Sequence, residues 1–293
     1  MEAISARYKD TIMQMIKHSN QGMTVTSENV YQESNTQILP FIDTIIAENL
    51  EPGSEIRSIA NLEKLAALAA GGSSCLLLLE HYSNFDLPIF SYLLRQSGAE
   101  GAAINARVLA IAGIKLSQTD PAVTAFTEAY SRLIIVPSRY LEIIKENIKD
   151  PKELVSEMMH GSSINHAAMK TLSVLKNMGK LILVFPAGTR YRPWDHGSKR
   201  GVREIDSYLK SFDYMCLISI NGNILRINPE GEMKEDLLCR DKVILDVSPP
   251  IHCHEFREKA KHAKHFGEDK KQAIVDSLMA SLEAMHEEVE KTL

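Results

Sequence analysis

His81 and Asp86 are the residues of this chain whose types and spacing most directly suggest chemistry. They close the segment Leu76-Leu77-Leu78-Leu79-Glu80-His81-Tyr82-Ser83-Asn84-Phe85-Asp86, where an apolar run gives way to polar residues. A hydroxyl nucleophile needs a base, and an imidazole base needs a partner that fixes its tautomer. Histidine supplies the first and aspartate the second. An imidazole ordinarily titrates at ~6.5, close to cellular pH, and general-base help of this kind is worth about 10²–10⁴-fold. The spacing alone is weak, because ten His and 13 Asp in 293 residues give about 0.4 such pairs by chance. On a continuous helix the two would stand about 140° apart, so they meet only if the chain turns between them. A strand ending before His81 and a helix starting near Asp86 to Pro88 allow that turn. Without it, Asp86 is a helix N-cap and His81 an ordinary loop residue. Ser83 and Asn84 are polar enough to add contacts.

A second apolar run, Leu181 to Phe185, leads into Pro186-Ala187-Gly188-Thr189-Arg190-Tyr191-Arg192-Pro193. A phosphate dianion needs fixed donors, and arginine offers planar, bidentate ones worth about 1.5–3 kcal/mol per charge-assisted bond. Gly188 lets the backbone approach a ligand, and Gly188 with Thr189 forms the expected substrate-binding loop. Two arginines two apart in an extended segment point the same way, so Arg190 and Arg192 are expected to grip one phosphate. The plainer reading is a surface turn with two solvated arginines. A third apolar run ends in Val136-Pro137-Ser138-Arg139, and Arg139 is either a third cation for the phosphate or an ordinary surface arginine. Lys199-Arg200 extends the patch or is a solvated loop. One strand end thus offers a base and another offers guanidinium groups beside a glycine turn. That combination suits acyl transfer onto a hydroxyl of a phosphorylated alcohol.

The elements that must position these residues follow from the pattern. Residues 1 to about 50 read as helical: Tyr8 to His18 carries Ile12, Met13, Met15 and Ile16 at helical spacing, and Ser27-Glu28-Asn29 is a second helix start. Glu51-Pro52-Gly53-Ser54 breaks the chain, which predicts a helical region over 1–52 and a larger domain over 53–293. Beyond it, helices and strands alternate. Helices are expected over 59–70, from Pro88 through Leu94, over 121–131, over 151–178 with a break near Gly161, and over 270–290. Strands are expected over 75–79, 108–114, 133–136, 181–185, 214–220 and 243–247. The fold class is α/β: a mostly parallel central sheet flanked by helices, with a small N-terminal helical region. In such sheets ligands collect at the carboxyl ends of the strands, where His81, Arg139 and Arg190 fall.

A chain of 293 residues with 44% hydrophobic and 24% charged residues can bury a sizeable core. Its formal charge of -5 argues against a nucleic-acid binder. The N-terminus lacks the apolar core of a signal peptide. The longest nearly apolar run, Leu65 to Leu79, is interrupted by Gly71-Gly72-Ser73-Ser74 and too short to span a bilayer. A cytoplasmic protein is expected, meeting lipid as soluble forms or by peripheral contact with a membrane surface. Cys75, Cys216, Cys239 and Cys253 form no CxxC pair, which predicts reduced thiols. His252-Cys253-His254 has no matching cluster, so no metal is expected there. Lys259, Lys261, Lys264, Lys270 and Lys271 are a solvated helix face, or a surface for an acidic carrier or anionic lipid.

These residues resemble a known family. His81-Tyr-Ser-Asn-Phe-Asp86 resembles the His-x4-Asp motif of glycerolipid acyltransferases, and Phe185-Pro-Ala-Gly-Thr-Arg190 their Phe-Pro-Glu-Gly-Thr-Arg motif, in the family's order and about a hundred residues apart. Within the family, the chain is most similar to soluble, plastid-type glycerol-3-phosphate acyltransferases. Ala110-Ile-Ala-Gly113 with Thr119-Asp-Pro121, Arg190-Tyr-Arg192-Pro193 and Val243-Ile-Leu-Asp-Val-Ser-Pro-Pro250 carry that likeness, which covers roughly Arg57 to Phe256. The resemblance implies a catalytic dyad of His81 and Asp86 and a phosphate site of Arg139, Arg190 and Arg192. It also implies an acyl thioester of acyl carrier protein or coenzyme A as co-substrate, with no further cofactor. Glu80 stands where the family usually has Asn, Ala187 where it has Glu, and Arg139-Tyr140 where it has two cations.

The expected reaction moves an acyl group from the thioester to the sn-1 hydroxyl of glycerol 3-phosphate. On this expectation, Arg190→Ala mainly raises the Michaelis constant for the acceptor. The alternatives are 1-acylglycerol 3-phosphate as acceptor, a catalytically lapsed lipid- or carrier-binding module, and a metal-dependent hydrolase using His252, Cys253 and His254.

Overall fold

Five consecutive apolar residues, Cys75–Leu79, form a strand buried along its whole length. The computed structural model describes residues 1–20, 24–117, 120–262 and 269–293. Thr119 and Lys264 lie outside the described residues. The fold is α/β, with strands mostly parallel and helices flanking them. Contacts divide the chain into two compact units, one of 1–7, 43–108 and 176–293, the other of 8–42 and 109–175.

In the first unit Leu181–Val184 and Tyr214–Asn221 pair on either side of Cys75–Leu79, both parallel to it. A strand with parallel neighbours on both sides and helices above and below has no wet face, which is why these segments are apolar throughout rather than alternating. Ile244–Val247 pairs antiparallel with Tyr214–Asn221, and Glu55–Arg57 closes the edge in parallel with Ile244–Val247. Helix Ile59–Ala70 packs on Cys75–Leu79 and Tyr214–Asn221, and helix Lys270–Glu290 packs on Tyr214–Asn221 and Ile244–Val247. The latter begins at Asp269, whose carboxylate accepts from Lys271 N–H and Gln272 N–H, and it buries Ile274, Val275, Leu278, Leu282 and Val289.

The register places the chemistry. Leu78 lies opposite Val184 and Leu79 opposite Ile218. Adjacent strands are about 4.8 Å apart, so the segments leaving Leu79 and Val184 emerge side by side. His81 and Phe185 are the first ring-bearing residues on those two exits.

The second unit pairs Arg132–Ile135 in parallel with Val108–Gly113 and antiparallel with Tyr31–Gln32. Helix Pro151–Leu175 packs on Arg132–Ile135 and runs through Gly161 without the expected break. A Cβ at 161 would stand 3.1 Å from the Leu141 side chain and 3.4 Å from Val136, so this glycine serves a close approach. Helix Ser138–Asn147, absent from the sequence reading, follows Pro137 at its N-cap. The helix start expected at Ser27 is a turn instead. Asn29 Oδ1 accepts from Thr26 N–H at 2.7 Å and Thr26 Oγ1 accepts from Glu28 N–H at 3.3 Å, and such local side-chain bonds compete with helix.

Residues 1–52 contain the helices Ile4–Arg7, Lys9–His18 and Leu39–Asn49, but they do not close on themselves. Glu2–Ala3 pairs with Leu237–Leu238, and Tyr31–Gln32 pairs with Arg132–Leu133. Glu2–Ala3 thus lies in the first unit with its partner strand, and Tyr31–Gln32 in the second with its own.

Leu77, fully buried at the centre of the Cys75–Leu79 strand, gives a direct measure of this core. Leu77→Ala should lower unfolding free energy by about 2–5 kcal/mol, read from the urea midpoint at unchanged slope.

Candidate active site

The chain turns between His81 and Asp86 and brings them together. His81 Nδ1 stands 2.9 Å from Asp86 Oδ2. Asp86 is 2% exposed and opens helix Asp86–Gln96. It does not cap that helix's own N–H groups. Its Oδ2 also accepts from Tyr82 N–H at 2.6 Å and Ser83 N–H at 2.9 Å, and its Oδ1 accepts the Ser83 hydroxyl at 3.0 Å. The carboxylate therefore folds the loop that carries His81. An ionised carboxylate only accepts, so the proton of the neutral ring sits on Nδ1 and the Nε2 lone pair is left for a substrate proton.

The second motif packs against the first. The His81 ring stacks on Phe185 with centroids 4.0 Å apart and planes 20° from parallel. Tyr191 N–H donates to the His81 carbonyl at 2.7 Å. Between them Gly188 takes φ +65, a conformation a β-carbon disfavours, and its N–H donates to the Phe185 carbonyl at 2.9 Å. Thr189 follows, half-buried. Gly188, Thr189, Arg190 and Arg192 thus lie on a loop held directly to His81.

Arg190 differs from expectation. Its Nη1 pairs with Asp236, a carboxylate 1% exposed, which also accepts from Asn228 N–H at 3.2 Å. Burial raises the Asp236 carboxyl above its ordinary range, with Arg190 opposing. The segment is not a free extended arm presenting two parallel arginines. Arg192 is half-buried, its N–H donates to Ser198 Oγ at 2.7 Å, and among the described residues nothing pairs with its guanidinium. Arg139 belongs to the other unit, exposed in the first turn of helix Ser138–Asn147.

The loop before His81 holds groups the sequence reading undervalued. Glu80 is 4% exposed; its Oε2 faces His286 Nδ1 at 3.0 Å and accepts from Ile220 N–H at 2.8 Å. The Tyr82 hydroxyl donates to Glu80 Oε1 at 3.2 Å. Burial, then Glu80 and Glu283, push the Tyr82 phenol far above its ordinary value, so it stays protonated. Lys199, read as a solvated loop residue, pairs with Glu283 and lies 5.8 and 5.5 Å from the Tyr82 and Tyr191 rings. Only the local signal at Glu80 was available beforehand.

Cys75, Cys216 and Cys253 are buried thiols that burial pushes up to about 12, which makes them poor nucleophiles. Cys253 opens a helix instead of lying mid-strand between His252 and His254. Among the described residues no group of three or more His, Cys, Asp or Glu could hold a metal ion. No helix among the described residues is long and apolar enough to cross a membrane. A cavity of about 980 Å³ runs along helix Pro151–Leu175, lined by Met159, His166, Lys170 and Val174 among others, and includes no residue of the dyad. No protein-family model matches the chain, and a search of curated proteins finds no match.

The Arg190–Asp236 pair changes what an Arg190 variant reports. Arg190→Ala leaves a buried carboxylate without its partner, which should cost about 3–5 kcal/mol of stability in addition to any effect on an acceptor. Adding Asp236→Ala should recover much of that loss in urea unfolding.

Proposed function

We propose that this protein is an acyltransferase that moves an acyl group from a thioester of acyl carrier protein or coenzyme A to the sn-1 hydroxyl of glycerol 3-phosphate. The observation that carries the proposal is the 2.9 Å contact between His81 Nδ1 and the saturated, buried Asp86 carboxylate. It is supported by a loop held against His81 that ends in Arg190 and Arg192.

The chemistry follows from that arrangement. His81 Nε2 takes the proton of the acceptor hydroxyl as its oxygen bonds to the thioester carbonyl carbon. Asp86 fixes the tautomer and stabilises the imidazolium that forms. The tetrahedral intermediate collapses with loss of the C–S bond, and the leaving sulfur takes the proton back from His81. The acceptor phosphate falls to Arg192, with Arg190 as a second contact. A guanidinium has five N–H donors, so pairing through Nη1 leaves Arg190 others to offer.

The deciding measurement is thiol release from both donors, with and without glycerol 3-phosphate. Release dependent on the acceptor supports the proposal; thioester consumption that ignores the acceptor, or none at all, rejects it. His81→Ala should lower kcat by about 10²–10⁴-fold in protein that still unfolds in one cooperative transition. Arg192→Ala should raise KM for glycerol 3-phosphate by about 10- to 100-fold, the worth of one charge-assisted contact, with KM for the thioester unaffected.

A further inference from the structure

Glu80 takes no part in the His81–Asp86 exchange, yet it is a nearly inaccessible carboxylate one residue before the base. It holds three donors: Ile220 N–H, His286 Nδ1 and the Tyr82 hydroxyl. The Tyr82 hydroxyl also lies 3.3 Å from His286 Nδ1. Tyr82 is anchored at both ends, because its backbone N–H donates to Asp86 Oδ2 at 2.6 Å. A single residue thus joins the Glu80–His286 pair to the carboxylate that orients His81.

We propose that Glu80, Tyr82 and His286 form a second hydrogen-bonded set that holds Tyr82, and through it Asp86 and His81, in the geometry proton transfer requires. His286, on helix Lys270–Glu290, is a positioning residue. The kinetic consequence rests on the acyltransferase reading; the geometric claim does not.

Three features support this assignment over a purely structural ion pair. Glu80 and Tyr82 flank His81 in the chain, so any shift of either moves the base. The helix carbonyl at His286 accepts from the Asn221 side chain at 3.0 Å, which fixes the ring's origin against strand Tyr214–Asn221. The acidic groups facing His286 favour its protonated form. Glu80 faces it from the dyad loop, Glu290 stands 3.8 Å from Nε2 on its own helix, and Lys199 opposes them from the 196–199 turn. Burial disfavours the charged ring, but the bond and charge of Glu80 outweigh it and hold His286 above its ordinary value. A raised value means that this stabilisation is fully present below the ordinary imidazole range and is lost as pH rises through the raised one.

The test compares His286→Asn, His286→Ala and Tyr82→Phe in the full chain. An asparagine amide nitrogen stands near the place of Nδ1 and keeps a neutral donor to Glu80; alanine keeps none. Phenylalanine removes the link and leaves the Glu80–His286 pair in place. His286→Ala and Tyr82→Phe should each lower kcat, by up to about 10²-fold for a misplaced base, with both KM values unchanged. His286→Asn should recover most of the rate. The His81 Nδ1–H signal in nitrogen-15 NMR, recorded without substrate, should move in the first two variants and not in the third. The wild type's thermal advantage over His286→Asn should be largest in acid and shrink as pH rises. Equal behaviour of Asn and Ala, or a Tyr82→Phe protein with wild-type rate and His81 signal, overturns the proposal. If the wild type consumes no thioester, the acyltransferase reading falls, and the His81 signal alone decides the positioning claim.

Discussion

The Asp86 carboxylate is the point on which the site depends. It is buried, carries a formal charge, and receives His81 Nδ1, two backbone N–H groups and a serine hydroxyl. A buried donor left without an acceptor costs about 1–3 kcal/mol. The same four contacts join the end of strand Cys75–Leu79 to the start of helix Asp86–Gln96 and leave the loop between them little freedom. Placing the acid in the first helical turn also sets its charge against the positive end of the helix. Orientation of the base and closure of the strand-to-helix turn are therefore one interaction.

Buried charge elsewhere in this unit is handled in the same way. Arg190 meets Asp236, Arg257 meets Asp206 at 2.9 Å with side chains 12% and 3% exposed, and Glu80 meets His286. Removing one partner of such a pair costs more than the pair contributes, because the other charge is left without water or counter-ion. Their value here is directional. Asp236 holds the loop of the second motif, whose Tyr191 N–H and Phe185 ring both lie on His81. The imidazole is gripped at Nδ1 by a carboxylate, along one face by a ring and at its backbone by a neighbouring loop, and among the described residues nothing bonds its Nε2.

What was legible in the sequence is what depends on short separations. Helices Ile59–Ala70 and Lys270–Glu290 and strand Cys75–Leu79 have the expected bounds, since uninterrupted apolar or amphipathic periodicity announces them. His81 and Asp86 stand five positions apart, and a strand end followed by Pro88 is enough to expect the turn. Asp236 lies 46 residues from Arg190, and His286 lies 206 from Glu80. Nothing local marks either as a partner, so Arg190 read as a free cation and Glu80 as an unexplained carboxylate. Two-residue strands such as Tyr31–Gln32 carry too little pattern to be seen. Gly161 read as a break because an unpaired glycine weakens a helix; the neighbouring Leu141 and Val136 side chains that need its missing β-carbon are set by packing.

The long-range pairing of Glu80 also bears on the electrostatics of the base. Two carboxylates, at 80 and 86, flank the imidazole in the chain. They are not equivalent in space. Asp86 bonds the ring directly, while Glu80 turns to strand Tyr214–Asn221 and the C-terminal helix, where an N–H, a hydroxyl and the His286 ring receive its charge. The Glu80 charge is met by these donors, and its bond and charge hold the His286 ring above its ordinary titration range against the effect of burial. Asp86 is then the carboxylate that bonds the His81 ring, and the carboxylate directly before that ring in the chain is turned away to partners of its own.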